Sequence, residues 1–329
     1  DGNYLTEVQG DAVVEFIDRH AGGEEPFFLY FTPLAVHSPL VEVPRKFLER
    51  VPEDVLERGG RKDGKPTDVN YRRYLVAAII ALDDQIGRMT ERLRRHGIER
   101  ETFVVLTSDN GGNLFDGARP DPYRGGKFGP NTQWAGYLRM PAIMSWPGAL
   151  PEGAVFDGLA STLDLYPTLC AAAEAVAPEP LDGVDLLPVL TGQTKPDSAR
   201  ALVWELRLGG LTLGPRNNVL RLVVRGDWRL VKLNESGWRL YDLDEDPAER
   251  ENLASRHPGV FRELRQVFAD WRSAMADPLR LEWRPGGPVP YGFDGWMTVG
   301  EWQEVKDEPR LWKEDPVRWR YLNERKERN

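Results

Sequence analysis

The sequence predicts an α/β fold with a largely parallel central sheet, followed by a small antiparallel sheet carrying a packed helix. Three observations predict it. Strand-length, continuously apolar runs suit strands buried on both faces. Long amphipathic helices lie between them in βαβ order. After about residue 198 the texture changes to short strands separated by tight turns.

Along the chain, Leu5, Val8, Ala12, Val13, Phe16 and Ile17 are spaced three and four apart, which predicts a helix over 5–20 stopped by Gly22-Gly23. Pro26-Phe27-Phe28-Leu29-Tyr30-Phe31-Thr32 reads as a buried strand. Over 71–95, Leu75, Ile79, Leu82, Ile86, Met89 and Leu93 mark a longer helix, with Arg94, Arg95 and His96 at its end, where the helix dipole favours cations. Thr102–Thr107 is a second buried strand, running into Ser108-Asp109-Asn110-Gly111-Gly112, and Arg139–Pro147 holds a third. A helix around 161–175 precedes a Pro/Gly-rich boundary near 178–198. Beyond it, Val219–Val224, Trp228–Leu233 and Trp238–Tyr241 form a meander, with a charged helix around 258–275. This predicts three parts: 1–197, the α/β portion; 198–276, the sheet and helix; and 277–329, an extended tail holding five of the eleven tryptophans.

Composition narrows the function. Of 329 residues, 41% are hydrophobic and 29% charged, which excludes wholesale disorder. No apolar run reaches the roughly 18 residues that span a bilayer. The net charge of −9 argues against a general nucleic-acid partner while allowing a local basic pocket. Cys170, the one cysteine, excludes an internal disulfide and stands in an apolar helix as a small buried hydrophobe. The chain opens at Asp1, either a processed start or a cut through a longer protein.

Candidate chemistry lies at strand ends, where open α/β sheets bind ligands. Asp109-Asn110 is either an Asx turn or an oxygen donor pair for a hard divalent cation. Arg124-Gly125-Gly126-Lys127 is either a solvated glycine loop or a pair of cations presented to an anion. It lacks the spacing of a P-loop. His37, just past the first buried run, is placed to act as a general acid or to bind an anion. His20, His96 and His257 receive no role.

Taken in order, these segments resemble the sulfatase family of the alkaline-phosphatase-like superfamily. The matching stretches are Pro26–Tyr30 into His37-Ser38-Pro39, Ala81–Gly87, Thr107–Gly112, Arg124–Lys127, Arg139-Met140-Pro141 into Trp146-Pro147-Gly148, Asp164–Thr168, Leu181-Asp182-Gly183 and Leu240–Pro247. The resemblance covers about residues 4–275. It implies an alkaline-phosphatase-like sandwich whose largely parallel central sheet is incomplete in this chain, and hydrolysis of a sulfate monoester, either an aryl sulfate or a sulfated carbohydrate. It further implies that Asp109 and Asn110 ligate a divalent metal, Ca²⁺ by family habit or else Mg²⁺. Lys127 would contact the sulfate, and His37 would sit at the sulfate or the leaving oxygen. Export to the periplasm or beyond is the family's habit.

The sequence departs from the family in three ways. The loop after Lys127 reads Phe128 to Tyr137 where relatives commonly carry an acidic residue and two glycines. No Cys/Ser-x-Pro-x-Arg motif, the source of the formylglycine nucleophile, occurs in the sequence, and the further acidic metal-ligand pair is absent. Asp83-Asp84 matches a structural acidic pair instead. The expectation is therefore the C-terminal portion of a sulfatase, inactive by itself. Alternatives are a phosphoester or phosphonate hydrolase of the same superfamily, or a non-catalytic sulfated-glycan-binding homologue.

Overall fold

A computed structural model describes residues 3–55, 61–62, 65–66, 70–127, 132–208, 218–276, 288–291 and 295–298. In chain order the helices are α1 (Leu5–His20), α2 (Arg45–Leu48), α3 (Tyr71–Arg95), α4 (Ala135–Leu138), α5 (Leu165–Ala172), α6 (Leu187–Leu190) and α7 (Pro258–Ala274). The strands are β1 (Arg61–Lys62), β2 (Lys65–Pro66), β3 (Val104–Thr107), β4 (Ala142–Ser145), β5 (Leu202–Leu208), β6 (Asn218–Arg225), β7 (Trp228–Leu233), β8 (Arg239–Asp242), β9 (Pro288–Tyr291) and β10 (Gly295–Thr298). Residues Asp1–Arg272 form one compact unit and Ser273–Asn329 a second. Of the tryptophan-rich tail, only the antiparallel β9–β10 pair is described; the rest lies outside the described residues.

The two helices predicted from spacing form as expected and pack on each other. Asn70 caps α3 by accepting the Arg73 N–H at 3.1 Å, which satisfies one of the donors a helix start leaves open. Gly10 of α1 sits against Gln85 of α3, where an added Cβ would run into the Gln85 side chain. Arg88–Asp11 at 2.5 Å and His96–Asp18 at 2.7 Å lie across the same contact.

The run 26–32 is extended and alternates in burial. Phe27, Leu29 and Phe31 pack on a cluster built from Val13, Ile17 and Leu93, while Phe28 (72% exposed) and Tyr30 (80%) face away. The run joins no ladder among the described residues. β3 pairs with β4, and the pairing is antiparallel, Val104 opposite Ser145 through Thr107 opposite Ala142. The parallel sheet predicted here is thus not formed among the described residues. A strand buried on both faces needs neighbours on both edges, and neither segment has them there.

The C-terminal sheet is the predicted meander with one strand more, in the order β5-β6-β7-β8 and antiparallel throughout. Alternation sends Val223, Leu230 and Leu240 to one face, under Leu264 and Phe268 of α7. Leu220, Leu222, Val224, Val231 and Tyr241 go to the other, where they meet Trp134, Leu138 and Leu159. This second contact fastens the sheet to the segment following the candidate anion loop.

Candidate active site

Three stretches of backbone lie side by side at the end of β3. Gly111 donates its N–H to Tyr137 O at 2.8 Å, Lys127 donates to Gly112 O at 2.9 Å, and Gly136 donates to Arg124 O at 2.8 Å. A parallel bridge joins Asn113 to Lys127. This approach is close enough to require glycine. A Cβ on Gly126 would stand 2.5 Å from Gly112 O, one on Gly136 would stand 2.8 Å from Arg124 O, and one on Gly111 would collide with Gly136 O. The glycines of Asp-Asn-Gly-Gly and Arg-Gly-Gly-Lys therefore let the two motifs mesh.

The loop carrying His37 is tied to the same place. Ser38 Oγ donates to Asp116 Oδ2 at 2.9 Å, and Asn113 Nδ2 donates to the same oxygen at 2.7 Å. Asn113 also caps the turn Leu114–Asp116 through Phe115 N–H, at 3.0 Å. Asp116 thus links the His37–Ser38 turn to the residue that bridges Lys127. Sequence reasoning missed Asn113 and Asp116. Their signal was an Asn three residues before an Asp, an ordinary capping pattern that by itself points to no site.

His37 is exposed, its N–H donating to Leu34 O at 2.8 Å. Its Nδ1 lies 2.8 Å from Ser38 O. A carbonyl oxygen can only accept, so Nδ1 carries the hydrogen and Nε2 is the outward-facing nitrogen. Neutral, Nε2 accepts; protonated, it donates. Asp109 is exposed and Asn110 half-buried, and neither side chain has a hydrogen-bond or ion-pair partner among the described residues. Their oxygens are therefore open to a hard cation. Two such donors fit part of the six to eight that Ca²⁺ takes, and no group of three or more His, Cys, Asp or Glu able to hold a metal occurs among the described residues. Lys127 is half-buried.

The remaining candidates fall outside this place. Cys170 is a free, half-buried thiol on α5. His20 stacks on Phe16 and His257 lies against Trp228. Asp84 is engaged by the Arg50 guanidinium fork at 2.5 and 2.8 Å.

A buried ion pair supports the site from below. Arg229 of β7 and Glu249 are both at the bottom of the exposure range, 1% each, and are bonded to each other. Arg229 Nη2 also donates to Gln133 O at 2.5 Å, and Glu249 Oε2 accepts from Ala135 N–H at 2.7 Å. The pair therefore grips the backbone on both sides of Trp134. Burial pushes the Glu249 carboxyl up and the Arg229 guanidinium down, each opposed by its partner's charge. Sequence reasoning missed this pair, because an arginine in an alternating strand reads as solvent-facing.

The sulfatase family model matches residues 1–175, and a model of the N-sulphoglucosamine sulphohydrolase C-terminal region matches 132–273. The chain belongs to the sulfatase family. It is 34% identical over 195 residues to N-acetylgalactosamine-6-sulfatase of Canis lupus familiaris, an alignment covering 57% of this sulfatase and 33% of the relative. It is 26% identical over 319 residues to Arylsulfatase J of Mus musculus, covering 85% and 50%. Among solved structures it resembles Ps i-CgsB in complex with k-i-k-neocarrahexaose (24% identity, TM-score 0.68, 82% of this chain and 55% of that one). It also resembles BT4656 in complex with its substrate D-glucosamine-2-N,6-O-disulfate (18%, TM-score 0.65, 82% and 69%). These identities establish the fold, an α/β sulfatase fold with the C-terminal antiparallel sheet and its helix. The chain spans about a third of the length of the first relative and half of the second.

Proposed function

We propose that this sulfatase chain carries the sulfate-contacting face, and part of the metal site, of a sulfuric ester hydrolase. The observation that supports the reading is the meshing of the 109–113 and 124–127 backbones, with the His37 turn tied in through Asp116. Asp109 and Asn110 would hold the divalent metal that the family uses, and Ca²⁺ suits their hard oxygen donors. When bound, such a cation withdraws charge from the sulfate oxygens.

The chain's own residues do the rest. Lys127 presents a cation to the peripheral oxygens, where a sulfate ester carries its charge. His37, held by Ser38 O, offers Nε2–H to the leaving oxygen when protonated and so assists expulsion of the alcohol. The nucleophile is assigned to none of these residues, since the formylglycine motif does not occur in the sequence. The sulfate ester is read as a sulfated carbohydrate, the kind of substrate named for one solved relative.

The test is calorimetric titration of the purified chain with calcium and then with a monosulfated sugar. Asp109→Asn should abolish calcium binding. Lys127→Ala should weaken sulfate binding by about tenfold or more, the worth of one charge-assisted hydrogen bond. Inorganic phosphate competing better than sulfate would favour a phosphoester hydrolase. Turnover of an aryl sulfate by residues 1–329 alone would overturn the assignment of the nucleophile. Binding indifferent to both substitutions would overturn the site.

A further inference from the structure

Many described arginines of the first compact unit face a carboxylate, Arg50, Arg88, Arg94, Arg200, Arg221 and Arg229 among them. Arg124 and Arg139, beside the anion loop, are in no such ion pair among the described residues, although the charge of Arg124 is felt by the buried Glu249 carboxyl. The Arg124 guanidinium lies 3.8 Å from the centre of the Trp134 ring, and that of Arg139 lies 4.8 Å from the centre of the Tyr123 ring. Arg139 Nη1 also donates to Tyr123 Oη at 3.0 Å. Both arginines are exposed, and among the described residues neither has a carboxylate oxygen within 4.0 Å. Asp121, in the same turn, pairs with neither.

A guanidinium lying over an aromatic face is held by its plane, while the N–H donors on its edge stay available. That is a prepared fork for a carboxylate or sulfate, at lower ordering cost than a free arginine would incur. The platforms are themselves fixed. Trp134 is 8% exposed and is gripped on either side by the buried pair, through Gln133 O and Ala135 N–H. Arg124 is bonded through its carbonyl to Gly136, and Arg139 through its N–H to Ala135 O at 2.9 Å. Both cations therefore stand on backbone shared with Lys127, in a chain whose net charge is −9.

We propose that Arg124 and Arg139, stacked on Trp134 and Tyr123, form a second anion subsite beside the sulfate-ester position, taking a carboxylate or a further sulfate of the same substrate. The proposal rests on the reading of Lys127 as the sulfate contact and deepens it. The protein would select esters carrying two anionic groups over esters carrying one.

The experiment titrates the calcium-loaded chain with three probes: N-acetylgalactosamine 6-sulfate, N-acetylgalactosamine 4,6-disulfate, and the 6-sulfate joined to a uronic acid in a disaccharide. At least one two-anion probe should bind about tenfold more tightly than the single-anion probe. Which one does so distinguishes sulfate from carboxylate as the second group. Arg124→Gln and Arg139→Gln should bring that ratio towards one, and Arg124→Lys, which keeps the charge but loses the fork, should fall between. Lys127→Ala should weaken all three probes and leave the ratio standing. A ratio near one in the unmodified chain, or one untouched by both glutamine changes, overturns the subsite. If the arginine-dependent preference persists while Lys127→Ala changes nothing, the subsite stands and the sulfate contact is the part that fails.

Discussion

The residue that asks most of this fold is Arg229, a fully buried cation paired with the buried Glu249 carboxylate. Taking both out of water costs several kcal/mol per ion, and their attraction repays that only with good geometry. Here the remaining bonds go to Gln133 O and Ala135 N–H, so the pair serves to locate a segment of backbone. Glu249→Gln should cost about 3–5 kcal/mol, because it strands the guanidinium. Arg229→Met combined with Glu249→Leu should cost clearly less than the sum of the single changes. Urea unfolding of the four proteins in a double-mutant cycle measures this, and additive losses would refute it. Asp164 poses the same question in a motif that the sequence comparison used only as a signature. Its carboxylate, wholly buried, accepts from Ser161 N–H at 2.7 Å and Val184 N–H at 2.9 Å, and from the Arg200 fork at 2.9 and 2.5 Å. Gly183 completes the arrangement, since a Cβ there would strike Leu163 O. Asp164→Ala should therefore destabilise by about 3 kcal/mol or more, with Arg200 left uncompensated, again read by urea unfolding.

At the scale of elements, helices were legible and strand partners were not. The four-three spacing of Leu75 to Leu93 determines α3 locally, and Asn70 at its start is a recognisable cap. Which edge a strand meets depends on residues far away in sequence, so 26–32 and β3 could be recognised as extended but not paired. β5 escaped notice although Val203, Glu205 and Arg207 alternate, because the turn-rich residues before it suggested a boundary. Asp84, by contrast, matches a structural acidic pair of the family within the long helix. The hydrogen bond from the Arg50 guanidinium holds its carboxyl below the usual carboxylate range, against the opposing effect of burial. Its folded value lies below its unfolded one, so the pair's contribution is present above the ordinary carboxylate range and is lost as pH falls through the lowered value. Asp84→Asn should flatten the acid limb of a stability–pH curve and do little near neutrality. An unchanged acid limb would show that solvent screening removes the effect. The exposed apolar side chains of these strands bear a second expectation. Phe28, Tyr30, Leu106 (39% exposed) and Ile143 (61%) are apolar side chains open to solvent on segments that share a neighbourhood around Val104. The isolated chain should bind a hydrophobic dye and self-associate, and Phe28→Ser with Ile143→Ser should shift it towards monomer in sedimentation.

Across the whole molecule, the change of texture near residue 198 predicts a boundary, yet Asp1–Arg272 is one compact unit. The reason lies in the sheet's two faces. Only one is covered by α7; the other is closed by Trp134, Leu138 and Leu159, all earlier in the chain. Composition reports where strand texture begins, but it cannot report that a sheet needs a cover from elsewhere. The site is divided in the same way: its loops were visible as motifs, whereas the base under them became visible only when β7 was seen beneath residues 133–135. The consequence can be tested directly. A piece comprising residues 198–276 would expose Leu220, Leu222, Val224 and Val231, each worth roughly 1.5–3 kcal/mol when buried, and would leave the Arg229–Glu249 pair without its backbone partners. A domain of that size has little stability to spare. The piece should therefore give poorly dispersed amide NMR signals and no cooperative melt, while residues 1–276 should retain the melt of the full chain. A well-dispersed, cooperatively melting 198–276 would show that the sheet closes its second face without Trp134, and the mechanical link between the C-terminal sheet and the anion loop would lose its basis.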